Sequence, residues 1–571
     1  MPRVRSAWLI LIVVIAVVAV VSPLRQQVGL QWAMLSQLPR RQSPGVSEQP
    51  FGSATILLVP YQDRCVGFVT RHYPNDSEML LAAGALADDR ALLERAAEGS
   101  KTPAAWAAYV DALLQTEPRF ERVGAAGVDP ADSHAVAQEE QRIAESRSPT
   151  RLSPQEAAPG LRALDAWHAA DPKNGLPLAM EALYLYGLHR DDAALAQWEA
   201  AGRLPEVSNR SQERTRAMTR LLVRMGMPEP EAIAASSAAV IFPSLARVRS
   251  CARIAVYEGR LAQIQGRAAD AVRWWDATVK LGRHMQASAD AIIGFLVGVA
   301  VEAIGGAPAW QWYLDRASGV PNGPLFQGRY FYGSQHALYV REEGEAGAAQ
   351  LRDQLVVGKL RTQLVRRYTE GLTVFDDYYR SDRLLAFGQV TAMLLLLLLV
   401  FFAATGTWSR QGADQATELS WAWQGIITVL VLAPVTVIGV GAFLAPMNGE
   451  MPSTAIPVAH FLAALGLSAF AVIVLPLFAA AFTRRSPARP RTAWRGNLRR
   501  VLPTALVLGV ILYLGLALAA MSVRARWTRE VTRPGMSEMT WLVRKAGPAW
   551  SHPQIPPDSW RADYPPKQAS N

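Results

Sequence analysis

The sequence predicts a mainly α-helical protein in two parts, a helical domain outside the cytoplasm and an α-helical transmembrane bundle. Two observations predict this organisation. Charge-free apolar runs long enough to cross a bilayer crowd into the last third of the chain. A long polar stretch before them is rich in Ala, Leu, Arg and Glu at helical spacing and is cut at intervals by Pro and Gly, as is typical of successive helices.

The transmembrane bundle is predicted within residues 381–521. A helix of about 18 or more apolar residues is long enough to cross the roughly 30 Å hydrocarbon core of a membrane. Four runs meet this length without Asp, Glu, Lys or Arg, namely Leu384–Ala404, Gly425–Ala445, Ile456–Phe482 and Val501–Met521. Carriers that couple to ions usually hold charged groups inside the membrane, so transport by this chain alone is not expected.

The arginines that flank the apolar runs predict the orientation. Basic residues accumulate on the cytoplasmic side of membrane proteins. Arg3 and Arg5 precede a first apolar run, Trp8–Val21, and the loop 483–500 carries seven arginines. Alternation from a cytoplasmic N-terminus also places this loop in the cytoplasm. The large domain and the C-terminal tail are then expected outside. The excess of Arg over Lys and the richness in Ala are typical of GC-rich bacterial genes, so we expect a bacterial inner or plasma membrane.

The N-terminal segment 1–24 has two interpretations. Basic residues followed by a short apolar run describe both an uncleaved signal anchor and a cleaved signal peptide. Either interpretation leaves the following domain outside the cytoplasm.

Residues 25–75 are predicted to form a linker and a small β-hairpin. The apolar segments Ala54–Pro60 and Cys65–Thr70 could pair as strands around Tyr61–Arg64. After them, residues 76–380 form the helical soluble domain.

The tail 522–571 combines Trp, Pro and basic residues. Its segment Arg524–Ala546 could lie on the membrane as an amphipathic helix, or the tail could be partly disordered.

Two stretches of the soluble domain share a pattern of small and aromatic residues. In Asp171–Ala201, Pro172 and Asn174 precede a helix that carries Ala194 and Trp198. In Tyr257–Ala277, Ala271 and Trp275 correspond to Ala194 and Trp198, and Gly259 and Gly266 stand at two further positions of the pattern. This pattern resembles tetratricopeptide repeats, a family of paired antiparallel helices. A small residue lets two helices approach closely, and the aromatic residue fills the space one turn later.

The resemblance implies a stack of helical hairpins with a concave surface for protein or peptide partners. Three residues depart from the family pattern. Ala182 and His189 stand where Gly is expected, and Thr278 stands where a small Ala is usual.

The two cysteines, Cys65 and Cys251, leave more than one interpretation open. Outside the cytoplasm they could form a disulfide, or they could remain two separate buried thiols. A catalytic cysteine is the weakest alternative.

No motif for catalysis, a cofactor or a metal is present. The histidines lack the spacing of a helical zinc site, and there is no phosphate-binding loop or nucleophile motif. The acidic pairs Asp88–Asp89 and Asp191–Asp192 are expected to cap helices at turns. The net charge of +10 lies largely in the 483–500 loop and the tail, where the lipid bilayer explains it, so nucleic acid is not expected as a partner.

The sequence therefore favours a membrane-anchored, envelope-facing helical-repeat protein that binds protein or peptide partners in a scaffold or assembly role. The alternative is a non-catalytic subunit of a membrane enzyme or transporter complex. A solitary enzyme with an unrecognised site is a third and weaker interpretation. The sequence does not specify the oligomeric state.

Overall fold

The chain is helical throughout the part that the structure describes. The structure, a computed structural model, describes residues 52–115, 152–240, 242–318 and 490–551, with shorter pieces within 134–141, 340–366 and 377–384. These residues form helices and no strand, and one isolated bridge joins Asn174 to Glu206.

Fifteen helices have defined bounds in the described ranges. The first seven are α1 (Gly52–His72), α2 (Ser77–Ala87), α3 (Arg90–Ser100), α4 (Pro103–Gln115), α5 (Pro154–Ala170), α6 (Leu176–Gly187) and α7 (Asp191–Arg203). The remainder are α8 (Ser211–Arg224), α9 (Glu229–Ala239), α10 (Pro243–Ile264), α11 (Ala268–Ser288), α12 (Ile292–Ser318), α13 (Pro490–Val531), α14 (Glu538–Ala546) and α15 (Pro548–Ser551).

The predicted β-hairpin is wrong, because α1 runs through both predicted strands and the turn between them. Leu58, Cys65 and Val69 are buried, and their spacing places them on one face of a helix. Short apolar runs do not distinguish a strand from a helix, and Tyr61–Arg64 contains no Gly or Asn that would form a tight turn.

The chain divides into two compact units. The first unit contains residues 1–59, 228–238 and 370–533, and the second contains residues 60–227, 239–369 and 534–571. Each unit therefore combines segments that are distant in the sequence.

Consecutive helices of the second unit pack as pairs, namely α2 with α3, α6 with α7, α10 with α11 and α11 with α12. Local capping explains several boundaries. Asp76 caps α2, Asp89 caps α3, and Ser153 forms a capping box with Glu156 at α5. Asp89 thus has the capping role that the sequence predicted.

Asp191 and Asp192 do not cap α7 as predicted. Arg190 occupies the cap position and makes no side-chain cap hydrogen bond, and the two aspartates lie in the first helical turn. Carboxylates there still interact favourably with the positive end of the helix dipole.

The turns inside the pairs α6–α7 and α10–α11 share one geometry. His189 and Gly266 both have positive φ angles, 58° and 79°. In each turn, the amide of the next residue donates to a carbonyl five positions earlier, at 2.9 Å from Arg190 and 2.8 Å from Arg267. This arrangement closes a helix end and favours Gly at the left-handed position. The two turns are therefore equivalent although one of them lacks Gly.

The residues at the predicted signature positions lie in the core of these pairs. Ala194, Trp198, Ala271 and Trp275 are all 0% exposed. A Cβ atom at Gly259 would lie 2.4 Å from the indole Nε1 of Trp275, so α10 and α11 approach closely because this residue is Gly.

Asn174 connects α6 to the segment that follows α7. Its Oδ1 accepts hydrogen bonds from the amides of Leu176 and Ser208, and its Nδ2 donates to Asp171 and to the carbonyl of Ser208. All of its hydrogen-bonding groups are therefore used, although the residue is fully buried.

The first unit contains α13, a single helix of 42 residues. Its segment Gly509–Val531 is long and apolar enough to cross a membrane, by length and composition. Residues 490–500, predicted as loop, belong to this helix. Pro490 suits a first helical position, and the arginines that follow favour helix.

The remaining predicted spans and the N-terminal apolar run lie outside the described residues. The run Val501–Met521 lies within α13, but the candidate span in the structure ends ten residues later.

Candidate functional site

A cleft of about 1000 Å³ opens in the second unit. Residues of α11, α12, α14 and α15 line it together with residues 350–361, whose described members are helical. Pockets that bind small molecules or peptide side chains commonly have volumes of roughly 300–1,000 Å³. The cleft is therefore large enough to accept several side chains of a ligand.

Two hydrogen bonds hold α14 against the start of α12 and so form one side of the cleft. The amide of Met539 donates to the carbonyl of Asp290 at 3.1 Å, and the amide of Ile292 donates to Glu538 at 2.9 Å. Burial raises the pKa of the Glu538 carboxyl, and the hydrogen bond from Ile292 opposes this shift.

Glu302 is the most buried charged residue in the cleft, with 2% of its surface exposed. Arg283 donates to one carboxylate oxygen at 2.9 Å, and Gln286 donates to the other. Burial raises the pKa of Glu302, while the nearby Arg283 and Arg361 and the hydrogen bonds lower it. The carboxylate is thus held in a fixed position by α11.

Arg361 is half-buried and lies against aromatic residues. Its guanidinium carbon is 5.4 Å from the centre of the Trp550 ring, and its Nε donates to the Trp550 carbonyl at 3.3 Å. Burial lowers the pKa of Arg361, and the charge of Glu302 opposes this effect. The Phe295 ring packs against the Trp550 ring, and the two ring centroids are 5.0 Å apart.

The cleft carries net positive charge, because three guanidinium groups and two carboxylates line it. Arg283 is neutralised by Glu302 at 2.9 Å. Neither Arg361 nor Arg544 has a carboxylate within 4.0 Å among the described residues. The cleft can therefore attract an anionic group and contact an apolar one beside it.

Nothing in the described part of the chain assembles three or more His, Cys, Asp or Glu residues in a metal-binding group. The described residues that line the cleft include no Ser, Cys or His, the residues that most often act as nucleophile or base.

Of the alternatives for the two cysteines, the structure has the separate buried thiols and not the disulfide. Cys65 and Cys251 are free and buried in the structure. Burial raises the pKa of Cys65 to about 11 and raises that of Cys251 as well. Thiols with raised pKa values react slowly, so both residues fill space in the core.

None of the six signature residues Ala194, Trp198, Gly259, Gly266, Ala271 and Trp275 lines the cleft. Sequence reasoning did not identify Glu302, Arg361 and Trp550 as a group. The one signal was Glu302, a charged residue directly after the apolar run Ala291–Val301. A carboxylate that terminates a buried helical face requires a partner, and Arg283 lies on the preceding helix.

A second polar cluster is buried in the first unit. Arg524 of α13 forms an ion pair with Glu231 of α9, and its Nε donates to Ser381 at 2.8 Å. The side chains of the pair are 4% and 1% exposed. Tyr378 packs on Arg524, with 5.0 Å from guanidinium carbon to ring centre, and on Trp527 at 5.1 Å between ring centroids.

No protein-family model, curated protein or solved structure matches this chain.

Proposed function

We propose that this chain is a membrane-anchored, envelope-facing protein whose helical domain binds a peptide or a protein segment of a partner in a scaffold or assembly role. The observation that carries the proposal is the cleft, where Arg361 stacks on Trp550 and forms no ion pair with any described carboxylate. Buried aromatic and Arg side chains are the residues that contribute most to protein recognition.

The helix pairs support this proposal. The equivalent turns at His189 and Gly266, together with buried Trp198 and Trp275, fit a tetratricopeptide-like stack of helical hairpins. Such stacks bind partners through an extended surface and require no catalytic residues.

The proposed topology places the N-terminus in the cytoplasm and the helical domain outside, in a bacterial inner or plasma membrane. The support is the agreement between Arg3, Arg5 and the arginines of residues 483–500. A reporter active only outside the cytoplasm should work when fused after Lys359 and fail when fused after Arg491. Activity after Arg491 contradicts this topology.

Site-directed photo-crosslinking in intact membranes tests the binding function. Ala287 is exposed on α11 and lines the cleft, so benzoylphenylalanine at this position should crosslink to a protein partner. Lys280 lies on the same helix and does not line the cleft, and it serves as the matched control position. Filling the cleft with Val357→Trp should remove the partner adduct. An adduct that survives this change, or forms equally from position 280, contradicts the proposal.

The second candidate is a non-catalytic subunit of a membrane enzyme or transporter complex. The buried pair of Glu231 and Arg524 favours it, because ionisable residues on membrane helices commonly mark functional positions. Replacing residues 384–482 with unrelated membrane helices distinguishes the two candidates. Partner capture at position 287 should survive under the first candidate and disappear under the second, provided that the domain remains folded and outside.

A further inference from the structure

We infer that the cleft recognises an acidic peptide segment, in which a carboxylate binds to Arg361 and Arg544 and a neighbouring apolar side chain packs on Trp550 and Phe295. This inference rests on the proposed function and specifies the chemistry that the partner must present. The carboxylate could belong to an Asp or Glu side chain or to a peptide C-terminus.

Arg361 is prepared for an anion before any ligand binds. Its Nε donates a hydrogen bond to the Trp550 carbonyl at 3.3 Å. The face of its guanidinium lies over the Trp550 ring, with 5.4 Å from the guanidinium carbon to the ring centre. Its terminal Nη groups make no hydrogen bond to any described residue. Stacking fixes the plane of the guanidinium, so less conformational entropy is lost when a carboxylate takes the remaining donors.

Arg544 supplies a second cation at the rim of the cleft. It is exposed on α14, whereas Arg361 is half-buried, and both line the cleft. The Glu302 carboxylate does not compete for these cations, because Arg283 and Gln286 occupy its two oxygens. A ligand carboxylate therefore finds two guanidinium groups that no carboxylate of the described residues contacts.

The apolar part of the site lies directly beside these cations. Phe295 and Trp550 have ring centroids 5.0 Å apart, and Val357 and Val543 also line the cleft. A ligand side chain next to the carboxylate can bury itself there, and the apolar surface that it removes from water contributes to the affinity.

Gln354 favours a peptide over an anionic lipid headgroup. It lines the cleft, and no described residue donates a hydrogen bond to its buried Oε1. An unsatisfied buried acceptor is costly, and a backbone N–H is the donor that a peptide carries on every residue except proline. The ionised phosphodiester of a lipid carries only acceptor oxygens, so the charged group of a lipid cannot itself donate to Oε1.

Peptide binding to the full-length protein in neutral detergent micelles tests the inference. The probes are Gly-Ser-Gly-Asp-Phe-amide, Gly-Ser-Gly-Asn-Phe with a free C-terminus and Gly-Ser-Gly-Asn-Phe-amide, each with an uncharged fluorophore on its N-terminus. Fluorescence anisotropy gives the dissociation constants. At least one carboxylate-bearing peptide should bind at least tenfold more tightly than the last peptide, which has no carboxylate. The first two probes distinguish a side-chain carboxylate from a C-terminal one.

Variants connect this preference to the cleft. Arg361→Gln and Arg544→Gln should each reduce the affinity for the acidic probe about tenfold and leave the affinity for the neutral probe unchanged. Lys545→Gln is the matched control, because Lys545 is exposed on the same helix and does not line the cleft. It should change binding less than twofold.

Three results overturn the inference. The first is equal affinity for all three peptides, including no binding to any of them. The second is acid-dependent binding that Arg361→Gln does not weaken. The third is release of the acidic probe when phosphatidylglycerol replaces a tenth of the detergent, with no release by phosphatidylcholine, because the cleft would then hold a lipid.

The crosslinking experiment separates this inference from the proposed function. If position 287 still captures a protein partner in Arg361→Gln and Arg544→Gln as in the wild type, the proposed function stands and the acidic-peptide inference is wrong. If position 287 captures no protein in the wild-type background and no probe binds, both are wrong.

Discussion

The indole Nε1 of Trp198 donates a hydrogen bond to Oγ1 of Thr278 at 2.9 Å, across 80 residues of sequence. Both side chains are fully buried, Trp198 on α7 and Thr278 on α11. Thr278 stands where the repeat pattern usually has Ala. A small Ala would leave the indole N–H without an acceptor, so this departure from the pattern has a structural reason.

Thr278→Val should therefore destabilise the protein. Valine preserves the shape of threonine but removes the acceptor, and an unsatisfied buried donor costs about 1–3 kcal/mol. Thermal unfolding of the purified full-length protein, followed by circular dichroism, should show a lower midpoint. Thr278→Ser retains the hydroxyl and should lose less stability than Thr278→Val. If Ser is the more damaging replacement, the hydrogen bond contributes little.

A second prediction concerns the close contact between Gly259 and Trp275. Gly259→Ala places a methyl group against the indole, and overpacking of a core costs about 1–3 kcal/mol. Trp275→Ala creates a cavity and should cost about 3–5 kcal/mol. The double variant should be more stable than the sum of the two losses predicts, because the smaller side chain leaves room for the methyl group. If the unfolding midpoint of the double variant falls by the sum of the two single losses, Gly259 is needed for a reason other than its contact with Trp275.

The sequence predicted features that depend on local chemistry. Asp89 caps a helix because its side chain reaches an amide three residues away, at 3.1 Å. Trp198 and Trp275 are buried as expected, because large aromatic residues on helices with a small residue one turn earlier rarely remain exposed. The family identity of these helix pairs stays a prediction.

Features that depend on distant segments were not predicted. Arg361 and Trp550 are 189 residues apart and meet because α14 docks on α12. No pattern in either segment indicates that contact. The helix α1 was mistaken for a hairpin because its apolar runs are short and Pro60 interrupts them.

A third prediction concerns the equivalent turns at His189 and Gly266. A left-handed conformation costs a residue with a side chain about 1–2 kcal/mol, whereas Gly adopts it freely. His189→Gly should therefore raise the unfolding midpoint. The increase should be small, because Gly also has greater conformational freedom in the unfolded chain, which offsets part of the gain. Gly266→Ala should lower the midpoint. Apart from its chain neighbours, no described residue lies within 4 Å of a Cβ at Gly266, so a steric clash does not contribute to this loss.

A fourth prediction is a pH dependence that originates at Glu302. Burial raises the pKa of this carboxyl in the folded protein, so the folded state holds the proton more tightly than the unfolded state. Its contribution to stability is therefore full below the unfolded pKa of about 4.3 and is lost as the pH rises through the folded pKa. The stability of the wild type relative to Glu302→Gln should accordingly fall as the pH increases from about 4.

Unfolding midpoints of both proteins at several pH values check this prediction. Glu345→Gln removes an exposed carboxylate and is the matched control. The difference in unfolding midpoint between the wild type and Glu302→Gln should change with pH. If it is constant, or if it grows in favour of the wild type as the pH rises, the pKa of Glu302 is not raised.

The last prediction concerns the buried ion pair between Glu231 and Arg524. Removing one partner of a buried pair leaves an uncompensated charge and costs about 3–5 kcal/mol. Glu231→Leu and Arg524→Met should each cause a large drop in the unfolding midpoint of the protein in micelles. Ser381 accepts a hydrogen bond from Arg524, but a neutral hydroxyl does not compensate a buried charge.

The double variant Glu231→Leu with Arg524→Met decides what the pair contributes. Replacing both partners with apolar residues of similar size removes the charge and its desolvation cost together, and such replacements are often neutral or stabilising. The double variant should therefore regain most of the stability that either single variant loses. If its loss equals the sum of the single losses, the two residues act independently, and the ion pair does not hold α9 against α13. If it regains stability but loses partner capture at position 287, the pair serves the function of the chain and is not needed for its folding.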